Sequence, residues 1–338
     1  MPSFSFLKNP SDDTVRGWLY SIAMGLPTLI GFLCHLQTDL VFVSLGAMFA
    51  LRLDPRSRPV PQVLAIIGGM LLMLISATLG AYLVGHQKLS MAALLFISFL
   101  AGQPKSEQAY LSLLGKFIAA ALVITEMGIP ATPSRALAYF VGALLACTLT
   151  IIQDKAYPPY QASWVPSNEW HKLMAGDTNG PLFGLTLPLT MLAAIVTANA
   201  IHAHHTAWAG LTVLFVMHVN DAETWEKIRQ RTLGTLLGVI NSYIIILFIP
   251  IYAFAPLIFL FAFFMPKTLK NNYLIFSMLM SSCVLMLINI ATLHQGGDLD
   301  LIKWRFFDTL IGSLWVTFSL VVLRLFKVFW PNDKQQVP

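Results

Sequence analysis

Apolar positions in this chain form long uninterrupted runs instead of alternating with polar ones, and the breaks between runs carry charge, proline and glycine. The runs cover approximately 17 to 35, 38 to 52, 62 to 84, 89 to 102, 107 to 126 and 135 to 152. After a polar stretch from Asp154 to Gly180 they resume at approximately 181 to 201, 205 to 218, 228 to 249, 251 to 265, 272 to 293 and 304 to 326. This pattern predicts an all-α integral membrane protein of about twelve transmembrane helices, grouped six and six. It divides the chain into a six-helix unit at 1–153, a linker at 154–180, a second six-helix unit at 181–330 and a tail at 331–338. Helices 2, 4, 8 and 10 have only about 14 or 15 residues, roughly 21 to 23 Å of helix against about 30 Å of hydrocarbon. Short segments at matching places in two repeats mark a transport site where broken helices line a cavity, or else a bilayer that thins around ordinary short helices.

Polar landmarks recur at a nearly constant offset. Asp39 and His205, Arg52 and His218, and Gly68 and Gly234 are each 166 residues apart, while Arg135 and Arg305, and Gly142 and Gly312, are 170 apart. Such spacing predicts an internal repeat. Six helices per unit bring both units into the membrane in the same direction, with a pseudo-twofold axis along the membrane normal and a pathway between the halves. When the loops are numbered alternately, sixteen of the 21 Lys and Arg residues fall on one side, among them Arg16, Arg56, Lys105, Lys172 and Lys267, and four, Lys88, Arg135, Lys303 and Arg305, fall on the other. The excess of positive charge makes the first side, with both termini, cytoplasmic. No small-residue cleavage site follows the first apolar run, so the first helix is expected to stay as a span.

Composition sharpens the reading. Of 338 residues 57% are hydrophobic and 11% charged, with mean hydropathy +0.70, whereas a soluble domain carries roughly 25% charged residues; this excludes a soluble globular enzyme. The net charge of +5 sits in short loops and reads as an orientation signal, with no nucleic-acid partner implied. Cys34, Cys147 and Cys283 lie in apolar stretches without paired spacing, so no disulfide framework or metal site is expected. The chain has no phosphate-binding Gly-x-x-x-x-Gly-Lys-Ser/Thr, no Gly-x-Ser-x-Gly and no His-Glu-x-x-His, and its acids are scattered. Neither an enzyme nor a cofactor is expected, and energy for any transport must come from a gradient or a partner.

The most distinctive local pattern is Arg231-Thr-Leu-Gly-Thr-Leu-Leu-Gly238, echoed by Arg305-Phe-Phe-Asp-Thr-Leu-Ile-Gly312 and, more loosely, by Arg135-Ala-Leu-Ala-Tyr-Phe-Val-Gly142. Seven residues is nearly two turns, so each Arg shares a helix face with its Gly. Gly234 and Gly238 also form a small-xxx-small pair that allows close helix approach. At these residues the chain resembles the fusaric acid resistance and aromatic acid exporter superfamily, whose members carry an Arg-x-x-x-Thr-Leu-Leu-Gly-like pattern in a duplicated six-helix unit. Helix 3 departs from it, with Ala65 in place of Arg and Gly68-Gly69 following. Larger members place a sizeable cytoplasmic domain after the sixth helix, where only Asp154 to Gly180 stands here. The resemblance implies export of small organic anions such as aromatic carboxylates, with a periplasmic adaptor and an outer-membrane channel as partners; relatives with one six-helix unit resemble anion channels.

Ionisable residues inside spans are costly and usually face a cavity. Lys116 lies ten residues into helix 5 and is a candidate for substrate binding, together with Arg231, Arg305, Asp308 and Asn289. Asp308, one turn from Arg305, suits either a local ion pair or a carboxylate that takes up and releases a proton. Asp39 and His205 are further candidates for proton coupling, on the outer side with His202 and His204. Gly142, Gly234, Gly238 and Gly312 are expected to pack helices. The expectation is a bacterial inner-membrane exporter, driven by the proton gradient, with a passive anion channel or a non-transporting membrane partner as the alternatives and a homo-oligomer admitted.

Overall fold

A computed structural model describes residues 12–55, 57, 59–83, 85–105, 109–126, 133–156, 165–203, 206–292 and 299–329. Among these the chain forms thirteen α-helices: α1 (Asp12–Leu33), α2 (Gln37–Arg52), α3 (Pro59–Tyr82), α4 (Gln87–Ala101), α5 (Tyr110–Glu126), α6 (Pro133–Ala156), α7 (Pro166–Met174), α8 (Gly180–Ala200), α9 (Ala207–Val216), α10 (Asp221–Phe248), α11 (Phe254–Asn271), α12 (Tyr273–Ala291) and α13 (Leu299–Phe329). Seven of the described helices are long and apolar enough to cross a membrane, and the protein is a multi-pass membrane protein. Outward faces such as Leu314, Phe318, Val321 and Leu325 of α13 are exposed and wholly apolar, as lipid requires of them.

Helix boundaries depart from the expectation where apolarity is a poor guide. The tenth predicted helix is not short: α11 has 18 residues because it continues through Pro266, and Ile258, Ala262 and Met265 are buried on its packed side. A proline removes one helical hydrogen bond, and packing on that scale holds the helix together across it. The helices at positions 2, 4 and 8 are short, with 16, 15 and 10 residues, and α5 has only 17. α10 starts seven residues before its apolar run. Asn220 caps it by accepting from the Ala222 N–H at 3.0 Å, and its polar opening turns are laced by Lys227–Glu223 at 3.1 Å and Arg229–Glu226 at 3.2 Å.

The thirteenth helix is α7, inside the stretch read as a linker. Pro166 opens it, and its Glu169 carboxylate accepts from the backbone N–H groups of Tyr110 and Leu111 at 3.1 and 3.0 Å, capping α5 from outside. The chain then runs antiparallel past Pro104 through Thr178, with Asn179 donating to the carbonyls of Gln103, Gly102 and Pro104. The described part of the linker is therefore bound to the membrane helices at Glu169 and again at Thr178 and Asn179. Residues 157–164 and the expected tail at 331–338 lie outside the described residues.

Contacts recur in the two halves at the sequence offsets noted above. The Arg135 guanidinium lies over the Phe42 ring at 5.0 Å and that of Arg305 over the Trp208 ring at 3.8 Å; Phe42 and Trp208 are 166 apart. A Cβ added at Gly142 would meet the Val43 carbonyl, and one at Gly312 would sit 2.6 Å from the Ala209 carbonyl, again at equivalent places on α2 and α9. Helices in lipid gain little from the hydrophobic effect and associate through such close backbone approaches. His35 and His202, the non-glycine residues with positive φ among those described, occupy the α1–α2 and α8–α9 turns at φ 58 and 56. The halves also exchange partners, α1 packing on α11 and α4 on α8, while α2 meets α12 and α5 meets α9. Phe49 and Phe215, 166 apart, both meet Phe117, at 5.5 and 5.7 Å, so phenylalanines from both halves close the seam between them.

One landmark moves. Gly68, aligned by spacing with Gly234, faces open space, and it is Gly69 that meets Leu53, Tyr110 and Leu114. The one-residue shift turns the packing face of α3 by about 100°.

Candidate functional site

The residues that gather are Arg231 on α10, Arg305 and Asp308 on α13, and Trp208 on α9. All four are buried, Asp308 at 1% exposure. Position follows from packing. Gly234 and Gly238 let α10 press against α12, where added Cβ atoms would lie 2.5 Å from the Leu274 carbonyl and 2.7 Å from that of Met278. Arg231 and Thr235, one turn apart, lie between that contact face and the side on which Thr232 and Ser313 bring α10 and α13 together through hydroxyls 3.0 Å apart. On α13, Gly312 seats the helix against Ala209 and Thr212 of α9, which places Arg305 two turns away over the indole of Trp208.

The cluster is polar, buried and incompletely bonded. Arg231 Nε, Arg305 Nη1, Trp208 Nε1, Thr235 Oγ1 and Asp308 Oδ1 are all buried without a hydrogen-bond partner. Arg305 lies within electrostatic reach of both Arg231 and Asp308, yet no ion pair within 4.0 Å joins Asp308 to either arginine, so the pair suggested by their one-turn spacing does not form. Leaving one buried polar group unbonded costs roughly 1–3 kcal/mol, and more for a charged one, so five together need an explanation. Two guanidiniums against one carboxylate leave one positive charge over, and four of the five unbonded atoms can donate. The arrangement fits an anion that accepts several hydrogen bonds.

Other expected site residues lie elsewhere. Lys116 is buried on α5, beside Phe117 at the seam between the halves, on a different helix from the cluster. Asn289 on α12 is half-buried, and its carbonyl accepts from the Thr292 hydroxyl at 3.5 Å. Asp39 stands exposed in the first turn of α2. His205 lies outside the described residues. Arg135, the counterpart of Arg305, keeps its aromatic partner but has no acid where Asp308 stands, since Ala138 occupies the equivalent position. Trp208 was not singled out in the sequence; the signal that could have found it is its position, 166 residues after Phe42 and one turn before Thr212, on the stripe facing Gly312. No group of three or more metal-ligating side chains occurs among the described residues.

Residues 192–319 match the fusaric acid resistance protein-like family. The matched segment runs from the middle of α8 well into α13 and contains Trp208, Arg231, Arg305 and Asp308, so the whole cluster falls within it. Both Arg231–Gly238 and Arg305–Gly312, the segments on which the resemblance was drawn, fall within this stretch. No curated protein and no solved structure matches the chain.

Proposed function

We propose that this protein exports small organic anions, aromatic carboxylates among them, across a bacterial inner membrane at the expense of the proton gradient. The observation that carries the reading is the Arg231–Arg305–Trp208–Asp308 cluster, buried in a membrane protein with donors left unbonded. Substrate carboxylate oxygens accept from Arg305 and Arg231, and the Trp208 indole backs the Arg305 guanidinium. Asp308 supplies the coupling. Outward transport driven by an inward proton flux needs exchange, so Asp308 takes its proton on the half-cycle in which the arginines hold no anion and releases it to the inside before the next anion is bound. Lys116, at the seam, adds a third cation along the path. A periplasmic adaptor and an outer-membrane channel are the partners this reading uses.

The proposed frame is twelve crossings as two parallel six-helix repeats. Its support is the recurrence of equivalent contacts in the two halves, and the start of α1 and of α8 near one cavity: that cavity includes Asp54, which pairs with Arg16, and Pro104 and Asp177, which flank the opening of α8. The basic end is cytoplasmic on charge grounds. In a Cys-free background, a membrane-impermeant thiol reagent added from outside should modify a cysteine at position 202 and spare one at 177; labelling at 177 would overturn the parallel arrangement.

For coupling, Asp308→Asn keeps size and hydrogen bonding but carries no proton. Anion binding should persist, while uphill efflux in proteoliposomes no longer follows the imposed pH gradient. If the Asn variant accumulates substrate against its gradient as the parent does, coupling resides elsewhere. Conductance that ignores an uncoupler in the parent itself would make the protein a passive anion channel.

A further inference from the structure

The polar cavity that holds Asp54 and Asp177, of about 500 Å³, opens at the basic end of the bundle, between the end of α2, the start of α5 and α7. Its walls combine apolar surface from Leu53, Leu111, Leu113 and Leu173 with three cations and three carboxylates. The carboxylates are all engaged. Glu169 accepts from two backbone N–H groups of α5, Asp177 pairs with Lys105 at 2.9 Å, and Asp54 accepts from Arg16 at 3.1 Å and Gln62 at 2.7 Å. The cations are not balanced in the same way. Among the described residues neither Arg52 nor Lys172 makes an ion pair, and the Arg52 guanidinium rests only on the Phe276 ring, 5.4 Å from its centroid.

We infer that this cavity is a loading site for a small organic anion, held by Arg52 and Lys172 through its carboxylate and by the leucines through its apolar body. Three observations bear on it independently. The volume is that of a small-molecule site. Counting Arg16, four cations face three carboxylates, so one positive charge is left over, and Arg52 and Lys172 are the two cations outside any ion pair among the described residues. Arg52 reaches from α2 to Phe276 on α12, so the site borders the seam between the halves, where a pathway would begin. The linker helix completes the site: α7 contributes Lys172 and Leu173 and is fixed over it by Glu169. A carboxylate matches the planar fork of Arg52, and the ammonium of Lys172 supplies a mobile second charge. The inference rests on the proposed transport of organic anions, but concerns a separate site, at the membrane surface instead of inside the bundle.

Equilibrium dialysis of benzoate against the purified full-length protein in neutral phosphatidylcholine nanodiscs tests it. The parent should bind two benzoates per chain. Arg52→Gln with Lys172→Gln should remove one and leave the other, while Arg305→Ala should remove the complementary one. Lys172→Gln alone, at an exposed position on α7, should weaken one class of site at least tenfold without disturbing the bundle. A parent stoichiometry of one that is lost only on Arg305→Ala overturns the loading site and leaves the proposed function standing; no binding by the parent overturns both. If replacing a third of the lipid with phosphatidylglycerol eliminates the Arg52-dependent benzoate, the cavity takes a phosphate headgroup and the loading site is overturned.

Discussion

Arg305→Ala should reduce uphill anion efflux in proteoliposomes to the level of empty vesicles. The substitution removes a buried donor and the guanidinium stacked on Trp208, and strands Asp308 at 1% exposure without its nearest cation. An unpaired charge in low dielectric is among the costliest defects a membrane helix can carry, so the variant must first be shown to insert and to elute as the parent does. Arg305→Lys keeps the charge but loses both the planar fork and the stacking, and should retain no more than about a tenth of parental efflux. Lys116→Met, at the seam, should also abolish efflux while inserting normally, whereas Asp39→Asn, at an exposed helix end, should leave it unchanged. Parental efflux from Arg305→Ala in well-folded protein would remove the cluster from the pathway, and parental efflux from Lys116→Met would remove that lysine.

Gly142→Val and Gly312→Val should each destabilise the bundle strongly. A side chain at Gly142 would run into the backbone of Val43 and Ala47, and one at Gly312 into the Ala209 carbonyl 2.6 Å away, so relief requires moving a whole helix. Overpacking of this kind costs on the order of 1–3 kcal/mol and sometimes more. At about 2–4 °C per kcal/mol, a fall in melting temperature of roughly 5 °C or more is expected in detergent. Gly68→Ala, which meets nothing within 4 Å, should be neutral or slightly stabilising because alanine favours the helix. Equal melting temperatures for Gly312→Val and Gly68→Ala would show that the α9–α13 contact carries no weight. Because Gly312 also seats Arg305 over Trp208, its variants should lose efflux even at temperatures where they remain folded.

What was legible in the sequence depends on which physical signal each feature leaves. Gly234 and Gly238 could be read as packing residues because small-xxx-small spacing on a helix has a single structural use in lipid. The offsets between Arg135 and Arg305 and between Gly142 and Gly312 could be read as a repeat because duplicated contacts need residues at duplicated spacing. The contact of Trp208 leaves no mark of its own, since an aromatic residue in an apolar run looks the same whether it faces lipid or an arginine, and only its offset of 166 from Phe42 singles it out. The docking of α7 could not be read, because its Glu169 resembles any solvated acid until the N–H groups of Tyr110 and Leu111 are found beside it.

The sequence by itself determined that this is a helical membrane protein with a repeated pattern and arginine–glycine pairs on common helix faces, because length, apolarity and a 3.6-residue period are properties of single segments. Tertiary structure alone decided that Arg231, Arg305, Asp308 and Trp208 converge while Lys116 and Asp39 stand apart, and that Gly69 packs where Gly68 does not. Those outcomes turn on the rotation of each helix about its own axis, and that rotation is set by the closest backbone approach to a neighbouring helix, which no single segment encodes.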